Sequence, residues 1–338
     1  MTDNTASRGA PHRRIRTRRR RSARRRALFL QLSAFVVAGA VLATLTTVAL
    51  QFARHRPAAA STAARPVAAP SPIPIVVPSP SPSPAPSPAP NNTALNNSLN
   101  ALIAASGARV GIEVVDLGAT PSIRIQINAG DTFDAASTYK LPLLMANAEA
   151  IAKGRAKPSD KICFSTSEQE DGWFDDYNDG DCFTRQTLGV RVGTYSDNTA
   201  AHMLVDNLGG TSVLEAYANS HGAKASAFYV PNDTTAADLA TLLVVEATGG
   251  AGGQPAQNWL YPLLTNTAYE KGLPAGVPDG VTVVHKVGAI DGTIDDVGIV
   301  MAPKAPYVIS VMSDGPGGDA GYALVAQISA AVWAAESS

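Results

Sequence analysis

Hydrophobic positions along residues 92–338 change their period twice. Leu95, Leu99, Leu102 and Ile103 fall at helical spacing and stop at Gly107, which predicts a first helix ending there. Residues 110–117 then read as a strand, and the alternation of Ile123, Ile125 and Ile127 predicts a second strand at 122–128, paired with the first. The middle of the chain reads as helical at 137–153, 198–207, 212–220 and 235–248, the last opened by Thr235 with Asp238 three residues on. Strands return at 281–286, 297–301 and 307–313, and an apolar helix closes the chain at 322–335. Sheet segments at both ends of a helical middle predict the α+β class: an antiparallel sheet with flanking terminal helices plus an all-helical lobe, and a cleft between the two.

Upstream of this body the pattern differs in kind. The first 56 residues hold 13 Arg, no Lys and a single acid, Asp3, a net charge of +12, so the rest of a chain with 27 basic and 28 acidic residues carries −13. An acidic body argues against binding through phosphate neutralisation, and no nucleic-acid partner is expected. Ten arginines between Arg13 and Arg26 precede 26 uncharged residues, Ala27 to Phe52, a stretch long enough to cross about 30 Å of hydrocarbon as a helix. Arginines ahead of an apolar span keep the N-terminus in the cytoplasm and send the downstream chain outside. One reading is therefore a cytoplasmic tail at 1–26 and a single-pass anchor at 27–52; the other is a cleaved export signal, with Arg25 and Arg26 ahead of the apolar core. Both place the body outside the cytoplasm, either membrane-held or secreted. Residues 53–91 form a Pro/Ser/Ala-rich linker, with 12 prolines between Pro57 and Pro90, which has nothing to bury and should run as an extended spacer. The folded domain is then 92–338, and it is expected to be a monomer.

With 45% hydrophobic residues and two cysteines, the chain is neither disordered throughout nor a disulfide-knot scaffold. An oxidising exterior allows Cys163 and Cys182 to pair. The stretch between them carries Glu170, Asp171, Asp175, Asp176, Asp179 and Asp181. Tyr177 sits where a calcium loop needs a second oxygen ligand and no Glu closes the loop, so a solvated acidic surface loop is expected. His12, His55, His202, His221 and His285 show no zinc-type pairing, and neither a metal nor an organic cofactor is expected.

Three short motifs stand in order: Ser137-Thr138-Tyr139-Lys140, Ser196-Asp197-Asn198 and Lys286-Val287-Gly288. Three residues along a helix put Ser137 and Lys140 on one face. A serine hydroxyl needs a base beside it near neutral pH, and a lysine becomes one when burial and a neighbouring positive charge, here Lys286, lower its pKa. Ser196 is the candidate proton relay across the cleft. Asn198 is placed to bond both Lys140 and a substrate amide, while Asp197 is expected to brace its own loop. The backbone N–H groups of Ser137 and Ala289 are the candidate donors to an oxyanion.

This set resembles the class A beta-lactamases and penicillin-binding proteins. The resemblance to the class A family covers nearly all of the body: the 59-residue interval from Ser137 to Ser196 looks like the family's own, Ser196 to Ala201 reads as its second motif with its helix, Asp233-Thr234-Thr235 resembles the end of its omega loop, and 297–311 looks like its closing strand pair. It implies an active-site serine hydrolase acting on a beta-lactam or cell-wall peptide, with Ser137, Lys140 and Ser196 catalytic and with Asn198, Lys286, Gly288 and Ala289 binding substrate. It also implies an aromatic at the cleft rim, for which Trp173 and Tyr177 are the candidates.

Two departures qualify the expected activity. Val287 stands where the third motif has a threonine whose hydroxyl helps bind a substrate carboxylate, and His285 beside the lysine should point away from the cleft on an alternating strand. The hydrolytic members also carry an omega-loop glutamate that activates the deacylating water. Between the Ser196-Asp197-Asn198 motif and Asp233 this chain has only Asp206 and Glu215, both in predicted helices, and Phe228-Tyr229-Val230-Pro231-Asn232 supplies no carboxylate. Acylation with slow deacylation is the leading expectation. A D,D-peptidase-like enzyme on cell-wall peptide and a non-catalytic wall-associated binding protein on the same fold are the alternatives.

Overall fold

A left-handed Gly107, at φ 68°, ends the first helix, α1 (Thr93–Ser106), and turns the chain into β1 (Arg109–Asp116) and β2 (Ser122–Ile127). The computed structural model describes residues 92–337; the basic tail, the apolar segment at 27–52 and the Pro-rich linker lie outside the described residues. The chain continues through β3 (Phe133–Asp134), a 3-10 turn (Ala136–Tyr139) and α2 (Lys140–Ala152). A small hairpin comes next, β4 (Lys161–Cys163) with β5 (Cys182–Thr184), and then α3 (Arg185–Tyr195), α4 (Asn198–Leu208) and α5 (Thr211–Ser220). After β6 (Asp233–Thr234) come α6 (Ala236–Ala247) and α7 (Gly253–Leu260), and the chain returns to the main sheet with β7 (Val283–Ile290), β8 (Thr293–Val300) and β9 (Tyr307–Asp314) before the closing α8 (Gly318–Ser337).

The main sheet is antiparallel throughout, in the order β2-β1-β9-β8-β7. Its alternation sorts side chains to two cores. Ile112, Val114, Ile309 and Val311 meet Leu95 and Leu99 of α1 and Leu324, Val325, Ile328 and Val332 of α8. Val115, Val308 and Met312 face the helical lobe, with Leu239, Leu242 and Leu243 of α6. Because both faces are covered, β8 is buried along its whole length. This is the α+β class.

Arg124 on β2 gathers both ends of the described body. Its carbonyl accepts a bond from Asn92 Nδ2 at 2.7 Å, and its Nε pairs with Glu336 Oε1 at 2.6 Å.

Beyond what the sequence reading supplies, the structure adds the short strands β3 to β6 and several differences. The helix expected from Ser137 begins as a 3-10 turn and becomes α-helical only at Lys140. Helices α3 and α7 were not expected. β7 and β8 are longer than their hydrophobic runs and form a hairpin across Asp291-Gly292, with Gly292 at φ 84°. Cys163 and Cys182 face each other across β4 and β5 and are bonded. The acidic stretch they enclose is an exposed surface loop whose carboxylates are also bonded: Asp176 makes a two-pronged pair with Arg191 of α3, Asp179 accepts from the Thr166 N–H, and Asp181 accepts from Asn178.

Candidate active site

Ser137 sits on a turn held from three directions. Asp134 Oδ1 accepts the Ala136 N–H at 2.7 Å, Thr138 Oγ1 donates to the Ala135 carbonyl at 2.6 Å, and Asn232 contributes both its Nδ2, to the Ala136 carbonyl, and its own carbonyl, to the Ala135 N–H, each at 2.8 Å. Ala136 is thereby kept at φ 43°, a left-handed conformation uncommon for a residue with a Cβ. The turn projects the half-buried Ser137 into the cleft at the start of its short helix.

Lys140, fully buried, extends from the next turn. Its Nζ lies 3.1 Å from Ser137 Oγ, 3.3 Å from Ser196 Oγ, 2.7 Å from the Ser196 carbonyl and 2.6 Å from Asn198 Oδ1. The last two oxygens can only accept, so they take two N–H groups. A neutral amine has only two, and its lone pair is then left for the hydroxyls. Burial lowers the Lys140 pKa to about 7, against the opposing charges of Asp197 and Glu170. The expected assistance from Lys286 is therefore corrected: burial is what lowers Lys140, whereas Lys286 is itself pushed well below the usual lysine range by burial and by the Lys140 charge. Ser196 Oγ stands between the two amines, 3.0 Å from Lys286 Nζ. Ser196 ends α3 in the left-handed conformation, φ 58°, which turns the chain into α4.

Asp197 braces more than its own loop. It caps α4 through the Ala200 N–H, accepts the Tyr177 hydroxyl at 2.6 Å, and accepts the Trp173 and Phe174 N–H groups at 3.0 and 3.2 Å. Tyr177 is thus a buried strut, and of the two aromatic candidates Trp173 is the one that lines the cleft. The cleft has a volume of about 310 Å³ and is lined by Ser137, Gly172, Trp173, Ser196, Asn198, Tyr269, Val287 and Ala289.

The opposite wall is β7. A Cβ on Gly288 would lie 2.9 Å from the Ala135 carbonyl and 3.1 Å from both Ala136 Cβ and Thr138 Cγ2, so glycine is what lets this strand approach the Ser137 turn. The approach puts Ala289 and Ser137 on one cavity. His285 turns away, as alternation requires: its Nδ1 lies 2.8 Å from Asp296 Oδ1 and its Nε2 3.3 Å from Glu270 Oε1, and although burial disfavours its charge, those two carboxylates raise its pKa to about 9.

Sequence reasoning passed over Glu170, Tyr229 and Tyr269. Glu170 receives the Tyr229 hydroxyl at 2.9 Å and stands 3.1 Å from His202 Nδ1. Tyr229 stacks on Tyr139 with ring centroids 5.4 Å apart. The segment 228–232 thus sets a phenol against Tyr139, whose ring centroid is 5.5 Å from Lys140 Nζ, and among the described residues the cleft lining contains no carboxylate. No local pattern marks these three residues, because each comes from a separate loop.

A sequence model of the Beta-lactamase enzyme family matches residues 94–335. The chain belongs to that family. A Beta-lactamase of Mycobacterium tuberculosis is 29% identical over 240 residues, covering 62% of this chain and 74% of that one. Among solved structures, PBP-A superposes with a TM-score of 0.67 at 25% identity, covering 72% of this chain and 96% of PBP-A. An ancestral class A beta-lactamase superposes at 0.66 with 27% identity, covering 71% and 99%. The beta-lactamase enzyme family therefore includes, in this chain, a member with a valine in its third motif and a phenol where the segment 228–232 meets the site. It is a class A-like serine hydrolase by family, with penicillin-binding relatives of the same fold.

Proposed function

We propose that this protein opens beta-lactam rings through an acyl-enzyme on Ser137 and releases the product slowly. The observation that carries the reading is the arrangement at Lys140: two obligatory acceptors take its N–H groups, a pKa of about 7 makes the neutral amine available, and Ser137 Oγ is 3.1 Å away. Neutral Lys140 takes the Ser137 proton as Oγ attacks the ring carbonyl. The tetrahedral oxygen receives the N–H groups of Ser137 and Ala289. Ser196 delivers its proton to the departing ring nitrogen and is resupplied from the amines on either side. Asn198, Lys286 and the Gly288 strand hold the substrate beside them. Hydrolysis of the ester then needs an activated water; the segment 228–232 supplies no carboxylate to activate it, and the carboxylate of Glu170 is engaged by the Tyr229 hydroxyl and His202.

The same absence favours a second reading, a D,D-peptidase-like enzyme on cell-wall peptide, in which an amine replaces water as the acceptor. In both readings the body works outside the cytoplasm, tethered or exported through residues 1–52. The paired Cys163 and Cys182 support that location, since such bonds persist in oxidising compartments.

The experiment is intact mass of the full chain mixed with a penicillin and followed over time, with Ser137→Ala alongside. A mass gain of one penicillin, absent from the Ala variant and lasting minutes, is expected. Decay within a second would overturn slow release, and no gain at all would overturn the beta-lactam reading.

A further inference from the structure

The cleft is short of hydrogen-bond donors on the β7 side. Lys286 Nζ is already bonded to Ser196 Oγ at 3.0 Å and to the Val287 carbonyl at 2.7 Å. Val287 lines the cleft without a hydroxyl, and among the described residues no arginine borders it. On the other wall Asn198 gives one N–H to the Asp171 carbonyl at 2.7 Å. A substrate carboxylate placed beside Lys286 therefore needs a second donor from elsewhere, since a carboxylate presents about four lone-pair sites.

Tyr269 has the free proton. Its hydroxyl accepts the Trp173 Nε1–H at 2.8 Å, across the mouth of the cleft, and among the described residues it donates to nothing. Accepting one bond strengthens a hydroxyl as a donor of the next. The ring is also held in place. Trp173 meets it edge-on at 6.4 Å and packs on Tyr195 at 5.5 Å. The backbone beneath it is fixed by the Ala268 N–H on the Thr194 carbonyl at 2.9 Å and by the Tyr269 N–H on Thr267 Oγ1 at 3.1 Å. Thr267 in turn donates from N and Oγ1 to Glu270 Oε1, which also faces His285 Nε2. The segment is thus anchored to the back of β7.

We propose that Tyr269 is a substrate-binding residue that donates its phenolic hydrogen to the carboxylate of a carboxylate-bearing acyl substrate, supplying the donor that Val287 lacks, with Trp173 as the positioning residue that orients it. The inference rests on the acyl-substrate reading above, but its test does not require acylation. Equilibrium binding of benzylpenicillin and of its methyl ester is measured on the full chain carrying Ser137→Ala. Tyr269→Phe in that background should weaken benzylpenicillin by about tenfold or more, the worth of one hydrogen bond to a charged group, and leave the ester unchanged. Adding Val287→Thr should restore most of the loss, which a merely structural role for Tyr269 would not allow. Trp173→Phe should weaken benzylpenicillin less than Tyr269→Phe does. Equal loss for acid and ester, an unchanged affinity in Tyr269→Phe, or no binding of benzylpenicillin to Ser137→Ala would each overturn the proposal. A normal binding pattern with no adduct on wild-type Ser137 would instead overturn the proposed function and leave the role of Tyr269 standing.

Discussion

Lys140 concentrates most of the chemistry in one side chain, and its protonation sets a pH profile. With a pKa lowered to about 7, the neutral base accumulates as pH rises through 7. The second-order rate of acylation should therefore climb from pH 5.5 to 8 with a midpoint near 7. Lys140→Met should lose on the order of 10²–10⁴-fold and lose the midpoint too; stopped-flow acylation across that range checks both. Glu246 is a second buried group, in the helical lobe, whose carboxyl oxygens have no hydrogen-bond partner among the described residues. Burial first, and then the charge of Glu149, raise its pKa to about 8. The folded protein keeps a proton that the unfolded chain gives up, so its share of stability is complete below the ordinary carboxylate pKa of 4.5 and is lost as pH rises to about 8. Glu246→Gln should stabilise the protein at pH 8 by about 1–2 kcal/mol and have little effect near pH 4, as read from denaturant midpoints at the two pH values.

At the scale of elements, β7 and the nucleophile's turn are set by the absence of one methyl group. Gly288→Ala adds a Cβ that must displace the strand by tenths of an ångström from Ala135 and Ala136. Acylation should fall by about 10²-fold through misplacement of the two walls, while the melting temperature falls only modestly, because Gly288 needs no left-handed backbone. The reason some elements could be read from sequence and others could not is equally local. Helices α1, α2, α4, α5 and α6 announce themselves by apolar spacing or caps. Helix α3 does not, because Gly189 and Gly193 lower its propensity. Their cause is remote: a Cβ on Gly189 would meet the Trp259 ring at 2.8 Å, and one on Gly193 the Leu263 carbonyl at 2.6 Å. Strand β8 carries Asp295 and Asp296 in its first half, and they read as loop until their partners are known. Asp296 takes His285 and the Leu273 N–H, and Asp295 takes the Ser313 N–H. The site was legible where its motifs are contiguous, at Ser137, Lys140, Ser196, Asn198, Lys286 and Gly288. Trp173 was one of two candidates; Tyr269 was missed because only the folded loops bring it to the cleft, and Glu170 and Tyr229 because their bond to each other joins two loops 59 residues apart.

At the scale of the molecule, buried His285 and Asp296 with half-exposed Glu270 tie the back of the sheet to the loop that carries Tyr269. A histidine pKa raised from 6.5 to about 9 gives stability that is complete below the ordinary value and is lost as pH climbs through 9. Thermal midpoints should therefore drop between pH 8 and 10, and His285→Asn should start lower at pH 7 and show a flatter alkaline limb. The sheet has another property that belongs to the whole chain. β1 lies between β2 and β9, with Gly111 opposite Met312, and Arg124 holds residues from both ends of the body. A ribosome adding roughly 5–20 residues per second needs about 10–40 s to reach β9 after it has made β1. During that interval β1 has no neighbour on its β9 side, and for most of it the Ser137 turn has no β7 to lean on. The body thus closes its sheet only after β9 has emerged, and until then the apolar face that β1 shares with β9 and α8 waits uncovered.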